Sequence, residues 1–587
     1  MRNTLSGWAR HSLRFRKRHS VEQARFLQHS QSRQLRTSGL SAPRRFALAS
    51  GLATLSLLLG VRAVSFEEIS SGYHTIQSRR IQSTLHFLAS KHFNGRATGT
   101  PEAELAAAYI ASVFQRQGLQ APTSNGARYL QSFDLVQAIP TEDSRVSIEI
   151  DARADSTLKM GVDFLPAPWG PDSGVVRGQL SFAGYGVTAP ELGYNDFAGV
   201  ELKGKIAVVL SKLPGGSGQP SWDFYSQKDY DEPLEKTLNA QKAGAAGVIV
   251  VLPSNESIPA LSSLTFKNAK TSLASDLESV RVPVVFASYQ TGERLLRYKE
   301  GSEPTLQTLQ DRIDKTSRPA PLSISTTVSL QTQYERKRMQ AHNVIGIIPG
   351  SDERLREECI LIGAHYDHIG TGENQEIYYG ADDNASGTAG LLKLAEAFQA
   401  GPLRPRRTIV LAAWDAEELG LLGSRHYLLK PVFPLGKTAA MIQLDMIGRN
   451  EQRPADTAKG EPEEKDENNT NTLSIAGAAY SPDLKQWFET CNRRTGLTLR
   501  YRYDSGQENL LKRSDHWGFL KAGIPSMFLF TGFHPDYHRP TDTPDKINYE
   551  KMERVLRLLY LSAWELSDQA NRPRFVVPKT KVEGSGT

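Results

Sequence analysis

The sequence predicts an α/β protein: a central sheet flanked by helices, with a smaller β-rich domain inserted ahead of it. Three observations carry that reading. Residues 340–575 alternate apolar strands (NVIGIIPG, CILIGAHYD, RTIVLAAWD, AAMIQLDMIG, TLSIAGA, IPSMFLF) with helical segments at Ala385–Gln399, near Leu484–Thr495 and at Tyr549–Ser567. Continuous apolar strands between helices indicate a sheet buried on both faces. Residues 165–325 have a different texture, with short β-branched runs, Gly/Pro turns and one helix between LKGKIAVVL and AGVIVV.

The third observation is the pair of helices in residues 75–118. The first has apolar positions at Ile81, Leu85, Phe87 and Leu88, and the second is EAELAAAYIASVFQRQG, ending at Gly118. Between them lies the breaker loop FNGRATGTP. A chain of 587 residues is too long for one core. Its composition, 39% hydrophobic and 23% charged, is that of a globular protein.

The net charge of +6 and pI of about 9.0 would fit a nucleic-acid partner. The excess is local, however: Arg and Lys crowd residues 1–45, with only Glu22 opposing them. The body shows no basic stripe, and that excludes the nucleic-acid class. Residues 46–61 (FALASGLATLSLLLGV) follow Arg44-Arg45 and end in small residues, the pattern of a secretory signal. The run is shorter than the ~20 residues a membrane span needs. PRRFALASG also resembles a twin-arginine export signal, without the usual Ser or Thr before the arginine pair. An organelle transit peptide or an uncleaved anchor would carry similar text. The expectation is an exported protein, periplasmic or secreted, and membrane-anchored if the leader stays. The 2 cysteines, Cys359 and Cys491, build no disulfide scaffold, and Cys359 reads as a buried strand thiol. Residues 451–471 are polar and acidic and read as an exposed mobile loop.

Five motifs sit at predicted strand ends, where ligands bind in open α/β sheets. In AHYDHIG, His365 can ligate a metal while Asp367 orients its ring, and His368 competes for the role. In GADDNASG two adjacent carboxylates repel unless a cation or a helix N-terminus offsets them. The Asp382 oxygens could reach two metals, whereas Asp383 or Asn384 could cap the helix. In WDAEELG, one of Glu417 and Glu418 can ligate while the other takes a proton from water, and Asp415 reads as structural. Asp445 in QLDMIG ends a buried strand and needs a partner. His538 in FHPDYHRPTDTPDKI is the fifth candidate, with His534 competing. Each motif has a bland reading as a cap, core or surface residue; their joint occurrence on successive strand ends does not.

Taken with GRATGTPEAELAAAYIASVFQRQGL, these motifs resemble the zinc peptidases of family M28. ELKGKIAVVL and KTLNAQKAGAAGVIVV resemble a protease-associated (PA) domain. The resemblance implies a mixed central sheet of the phosphorylase/peptidase-like zinc exopeptidase fold. It divides the chain into a leader (1–66), an N-terminal part (67–164), a PA-like insert (165–325), a catalytic part (326–575) and a tail (576–587). It implies two Zn2+ per chain, one held by His365 and Asp445 and one by Glu418 and His538. Asp382 would bridge them, with a cis bond to Asp383. Asp367 would orient His365, and Glu417 would be the general base. Asp515 and His516, in RSDHWGFLKAGIPSMF, would line the pocket without an assigned role. Co2+ or Mn2+ could occupy the same donors, and the absence of HExxH removes the single-zinc helix mechanism. The implied activity is aminopeptidase, acting on peptides. Carboxypeptidase or acidic-dipeptide hydrolysis is the same-family alternative, glutaminyl cyclisation a remoter one, and a receptor-like binding module the alternative from another class.

Overall fold

The computed structural model describes residues 64–578 apart from 123–128, 151–152, 216–229, 260–268, 297–303, 456–461 and 505–509. The basic leader up to residue 63 and the tail from 579 lie outside the described residues. Among the described residues, no helix is long and apolar enough to cross a membrane.

Four strands form the heart of the central sheet: Cys359–His365, Thr408–Trp414, Thr438–Leu444 and Ser526–Phe530, each buried at every position. They run parallel, in the order 408, 359, 438, 526 by first residue. Antiparallel neighbours flank them. Thr472–Ala476 lies beyond Ser526–Phe530, and Leu322–Ile348 and then Leu130–Pro140 lie beyond Thr408–Trp414. The sheet is therefore mixed, as expected.

Alternation along the strands serves two cores. Ile360, Ile362 and Ala364 face a large cluster with Leu85, Leu391, Leu394, Leu556 and Leu559, which come from helices Ser78–Leu88, Gly387–Gln399 and Tyr549–Asp568. Cys359 and Leu361 face the other side, toward Tyr427 and Phe519 on Leu422–Leu429 and His516–Lys521. Cys359 and Cys491 are both free thiols. The second helix of the N-terminal pair, Pro101–Arg116, starts from Thr100, whose hydroxyl accepts the Ala103 amide at 3.3 Å. A further helix, Phe66–Thr75, precedes the pair and is not evident from periodicity.

The inserted domain has its own sheet. Ser173–Phe182, Ile206–Leu210, Gly247–Val251 and Val284–Ala287 are parallel, between one cluster containing Val208, Ile249 and Ile313 and another containing Val248, Val250 and Ala240. Its boundaries differ from those read in the sequence. Arg145–Ile150 pairs with residues 327–331, so it belongs to the insert's sheet although it precedes position 165. The boundary at 325/326 falls inside one unbroken strand, Leu322–Ile348, which serves the insert's sheet first and the central sheet afterwards. Ladder pairing decides both boundaries, and composition does not report it.

Of residues 451–471, where 456–461 lie outside the described residues, most of those described are exposed as expected, but Glu451 and Glu464 are buried. Arg453 and Glu464 exchange main-chain hydrogen bonds of 3.0 and 2.9 Å, and Glu451 is only 1% exposed. Glu451 accepts from Tyr503 Oη at 2.5 Å and pairs with Arg502, while Glu464 pairs with Arg500 and Arg502. These two acids, which read as solvated, are neutralised by cations 36 to 51 residues onward.

The insert also packs under the catalytic half. Strand Thr271–Leu273 pairs with Leu130–Pro140, Leu273 opposite Leu135, and both join Phe133, Ala341, Ala416 and Leu422 in one cluster. Arg425 grips Asp276 through two bonds of 2.5 and 3.0 Å. Leu273 is 1% exposed and Val175 71%. Leu273→Ala is therefore expected to cost roughly 2–4 kcal/mol and lower the thermal midpoint, and Val175→Ala to leave it unchanged. Equal midpoints for the two variants would show that the insert is not packed there.

Candidate metal centre

Parallel strands deliver their carboxyl ends to one edge of the sheet. His365 closes its strand, Asp445 follows Thr438–Leu444, the Asp415–Glu418 turn follows Thr408–Trp414, and His534 and His538 follow Ser526–Phe530. Asp382 and Asp383 arrive from the distorted turn Ala381–Ser386 ahead of helix Gly387–Gln399.

Asp383 lies at the middle. Its Oδ1 is 3.3 Å from His365 Nε2, and its Oδ2 is 3.0 Å from His538 Nε2. His365 Nε2 is also 3.3 Å from Asp445 Oδ1 and 3.9 Å from Glu417 Oε2. Glu418 faces His538 Nε2 at 3.1 Å through one oxygen and His368 Nδ1 at 2.7 Å through the other. Two groups of side chains could each hold a cation, His365–Asp383–Asp445 and His368–Asp383–Glu418, and Asp383 belongs to both.

The donor chemistry fits a metal. His365 Nδ1 lies 3.2 Å from the Asp367 carbonyl oxygen, which can only accept, so Nδ1 carries the proton and Nε2 offers its lone pair to the centre. His365 Nε2 and Asp445 Oδ1 are buried with no hydrogen-bond partner. Unsatisfied buried polar atoms are costly, and a cation between them would remove the cost.

The charge balance points the same way. Burial pushes the Glu417 carboxyl well above the usual range, Glu418 and Asp445 add to the effect, and His365 opposes it. Burial also works against ionisation of Asp383, but the adjacent His365 and His538 imidazoles outweigh it and hold the carboxyl well below its usual range. His538 resists charging through burial, yet Asp383 and Glu418 push it up to about 10.

The structure corrects the sequence reading at Asp382. That side chain turns away from the centre: Oδ1 accepts the Gly448 amide at 2.7 Å, and Oδ2 is 3.2 Å from His534 Nε2. The cis bond joins Asp383 to Asn384 rather than Asp382 to Asp383. The amides of Asp382 and Asp383 donate to Asp542 at 2.9 and 3.2 Å, which fixes the turn so that the second acid enters the site. His365, Glu417, Glu418, Asp445 and His538 all converge there. His534 is occupied by Asp382, and His368 stands beside Glu418 instead of replacing His365.

Asp367 touches His365 chiefly through its carbonyl, its carboxylate being 3.7 Å from Nδ1. That carboxylate instead accepts the amides of Glu417 and Glu418 at 3.1 and 3.3 Å. Asp415 is structural, accepting from the His342 amide and from Tyr366 and Thr98 hydroxyls. Asp515 accepts from Gln443, and His516 packs behind Phe528 with a centroid distance of 5.2 Å; neither lines the cleft. Three participants escaped sequence reasoning: Ser514, which donates to Asp445 at 2.6 Å, Asp542, and Arg96. For Arg96 a signal existed in the GRATGTP breaker loop.

The cleft over the centre is walled by Met446, Leu510, Phe528, Phe530, Phe533 and Tyr537, with Arg513 among the lining residues. These apolar and aromatic walls stand beside Asp383, Glu417 and Asp445.

Comparison with known proteins adds relatives. The chain is 25% identical over 411 residues to the aminopeptidase YwaD of Bacillus subtilis (strain 168), covering 68% of this chain and 71% of that protein. It is 32% identical over 229 residues to a probable glutamate carboxypeptidase of Arabidopsis thaliana, covering 37% of this chain and only 28% of that one. Among solved structures, an aminopeptidase from Aneurinibacillus sp. strain AM-1 aligns over 87% of this chain and 98% of its own, with 22% identity and a TM-score of 0.46. Residues 176–295 match the PA domain and residues 343–562, which carry every side chain of the two triads, match peptidase family M28; the chain belongs to that family.

Proposed function

We propose that the protein is a zinc-dependent exopeptidase that removes N-terminal residues from peptides, working with two ions that share Asp383. The observation that carries this reading is the position of Asp383 between two donor groups, with the Glu417 carboxylate beside them. His365 and Asp445 would hold one ion. Glu418 and His538 would hold the other, with His368 orienting Glu418 through its second oxygen at 2.7 Å. Bound zinc would supply Lewis acidity toward the scissile carbonyl and the attacking water.

The chain's own residues do the rest. Asp367 grips the amides of Glu417 and Glu418, so the two carboxylates of that turn diverge. Glu418 is held by imidazoles. Glu417 has no such hold, faces the cleft, and takes the proton from water before returning it to the leaving amine. The aromatic walls would take the side chain of the residue being removed.

The relatives bear both on this reading and on a second one, since one is named an aminopeptidase and another a probable glutamate carboxypeptidase. Arg513 at the cleft is the observation that favours carboxypeptidase action, because a guanidinium can pair with a free carboxylate. We further propose that the protein is exported, on the strength of the apolar run 46–61 behind Arg44-Arg45.

Three outcomes are expected. The purified protein should hydrolyse a leucine arylamide, lose that activity to a chelator, and leave N-acetylated peptides intact; Glu417→Gln should keep its zinc and lose turnover by a factor of about 10²–10⁴. Cleavage confined to N-acetylated peptides would transfer the reading to carboxypeptidase, and near-normal turnover in the variant would remove Glu417 as base. Asp383→Asn should lower zinc content by elemental analysis, whereas Asp382→Asn should keep it; the reverse pattern would return the bridge to Asp382. Mature protein recovered outside the cytoplasm should begin near residues 62–66, and its retention inside with an intact N-terminus would end the export proposal.

A further inference from the structure

Arg96 sits in the loop between the helices Ser78–Leu88 and Pro101–Arg116, with a left-handed backbone at φ 52°. It is 1% exposed. Its guanidinium makes four hydrogen bonds, all to main-chain carbonyls and none to a carboxylate. Nε donates to Tyr366 at 2.8 Å, Nη1 to Leu88 and Tyr379 at 2.9 Å each, and Nη2 to Gly380 at 2.9 Å. The Arg96 carbonyl in turn accepts the His368 amide at 3.2 Å.

These contacts have a pattern. Tyr366 lies between His365 and Asp367, and Tyr379 and Gly380 lead into the turn that presents Asp383. The two segments meet in a short antiparallel pairing, Gly370 with Tyr378 and Thr371 with Ile377, but the residues that Arg96 holds, Tyr366, Tyr379 and Gly380, lie outside it. Closer to the centre, the Arg96 side chain ties them together, alongside the Thr388 hydroxyl that donates to the His365 carbonyl at 2.7 Å. A buried cation held only by carbonyl dipoles is costly, and burial pulls its pKa down to about 10. The charges of Asp367, Asp383, Asp542 and Glu418 act on it from a distance and offset part of that cost. Lysine could not reproduce the arrangement, because an ammonium is a point donor and a guanidinium a planar fork.

We propose that Arg96 is a positioning residue of the metal centre: it clamps the loop bearing His365 to the turn bearing Asp383 before any ion arrives, and so sets metal affinity. This rests on the reading of the site as a metal centre. The test is Co2+ titration of metal-free full-length protein, read by the d–d absorption of the bound ion, with folding checked by circular dichroism. Arg96→Lys keeps the charge and loses the fork, and should bind Co2+ at least tenfold more weakly than the unaltered protein while remaining folded. Equal affinity would overturn the proposal and leave the metal centre intact. No Co2+ uptake by the unaltered protein would overturn both. Should the variant fail to fold, amide hydrogen exchange on the unaltered protein decides. The His368 amide, which donates to the Arg96 carbonyl, should be equally protected with and without Co2+, and protection that appears only with the metal would show that the clamp is not preset.

Discussion

The structure turns on carboxylates crowded into a space from which water is largely excluded. Asp383, Glu417, Glu418 and Asp445 converge at one sheet edge. Two like charges 4 Å apart repel by about 4 kcal/mol even at an effective dielectric of 20, so the arrangement needs compensating cations. Without metal the imidazoles supply them: His365 is raised well above its usual range, with Glu417 and Asp445 overcoming the burial that opposes it, and His538 rises to about 10. Histidines that ligate must be neutral. Protons and divalent ions therefore compete for the same ring nitrogens, and the geometry suited to one is already arranged by the other.

A second ring of polar groups makes that crowding tolerable, and it works through the backbone. Asp367 accepts two amides of the Glu417–Glu418 turn, Asp542 accepts those of Asp382 and Asp383, and Asp382 accepts that of Gly448. Each acid surrenders an oxygen to main-chain donors and so fixes a turn instead of entering the site. Removing such an acid would leave the amides unpaired and the turn free to relax, which is why adjacent acids in these motifs are not interchangeable.

The same physics explains what could be read in advance. The parallel strands were legible because their apolar, β-branched runs are buried on both faces, and the strand-end motifs followed from them. Asp383 could not be told from Asp382, because neighbouring residues in an irregular turn point in opposite directions and the deciding contact is Asp542, some 160 residues away. His368 looked like a rival to His365 because its partner Glu418 lies 50 residues onward. Glu451 and Glu464, in the acidic run at 451–471, read as solvent-exposed for a similar reason, their neutralising cations being Arg500 and Arg502. The residues missed or misplaced are those whose role depends on a partner distant in sequence.

Distance in sequence also bears on the inserted domain. The Glu417–Glu418 turn is bracketed by Ala416 and Leu421, both left-handed at φ 58° and 59°. Residues with a Cβ adopt that conformation at a cost of roughly 1–2 kcal/mol each, so the turn persists only where its surroundings impose it. Asp367 imposes it from above by gripping the two amides. From below, Ala416 and Leu422 are packed into a small cluster that includes Leu273, contributed by the insert. Arg425 on the following helix is tied to Asp276, again from the insert. A domain joined to the central sheet by one continuous 27-residue strand thus also supplies part of the floor beneath the Glu417–Glu418 turn. Its position is set by packing that the Glu417–Glu418 turn itself requires, and the conformation of Glu417 cannot be assigned to the central sheet and its helices alone.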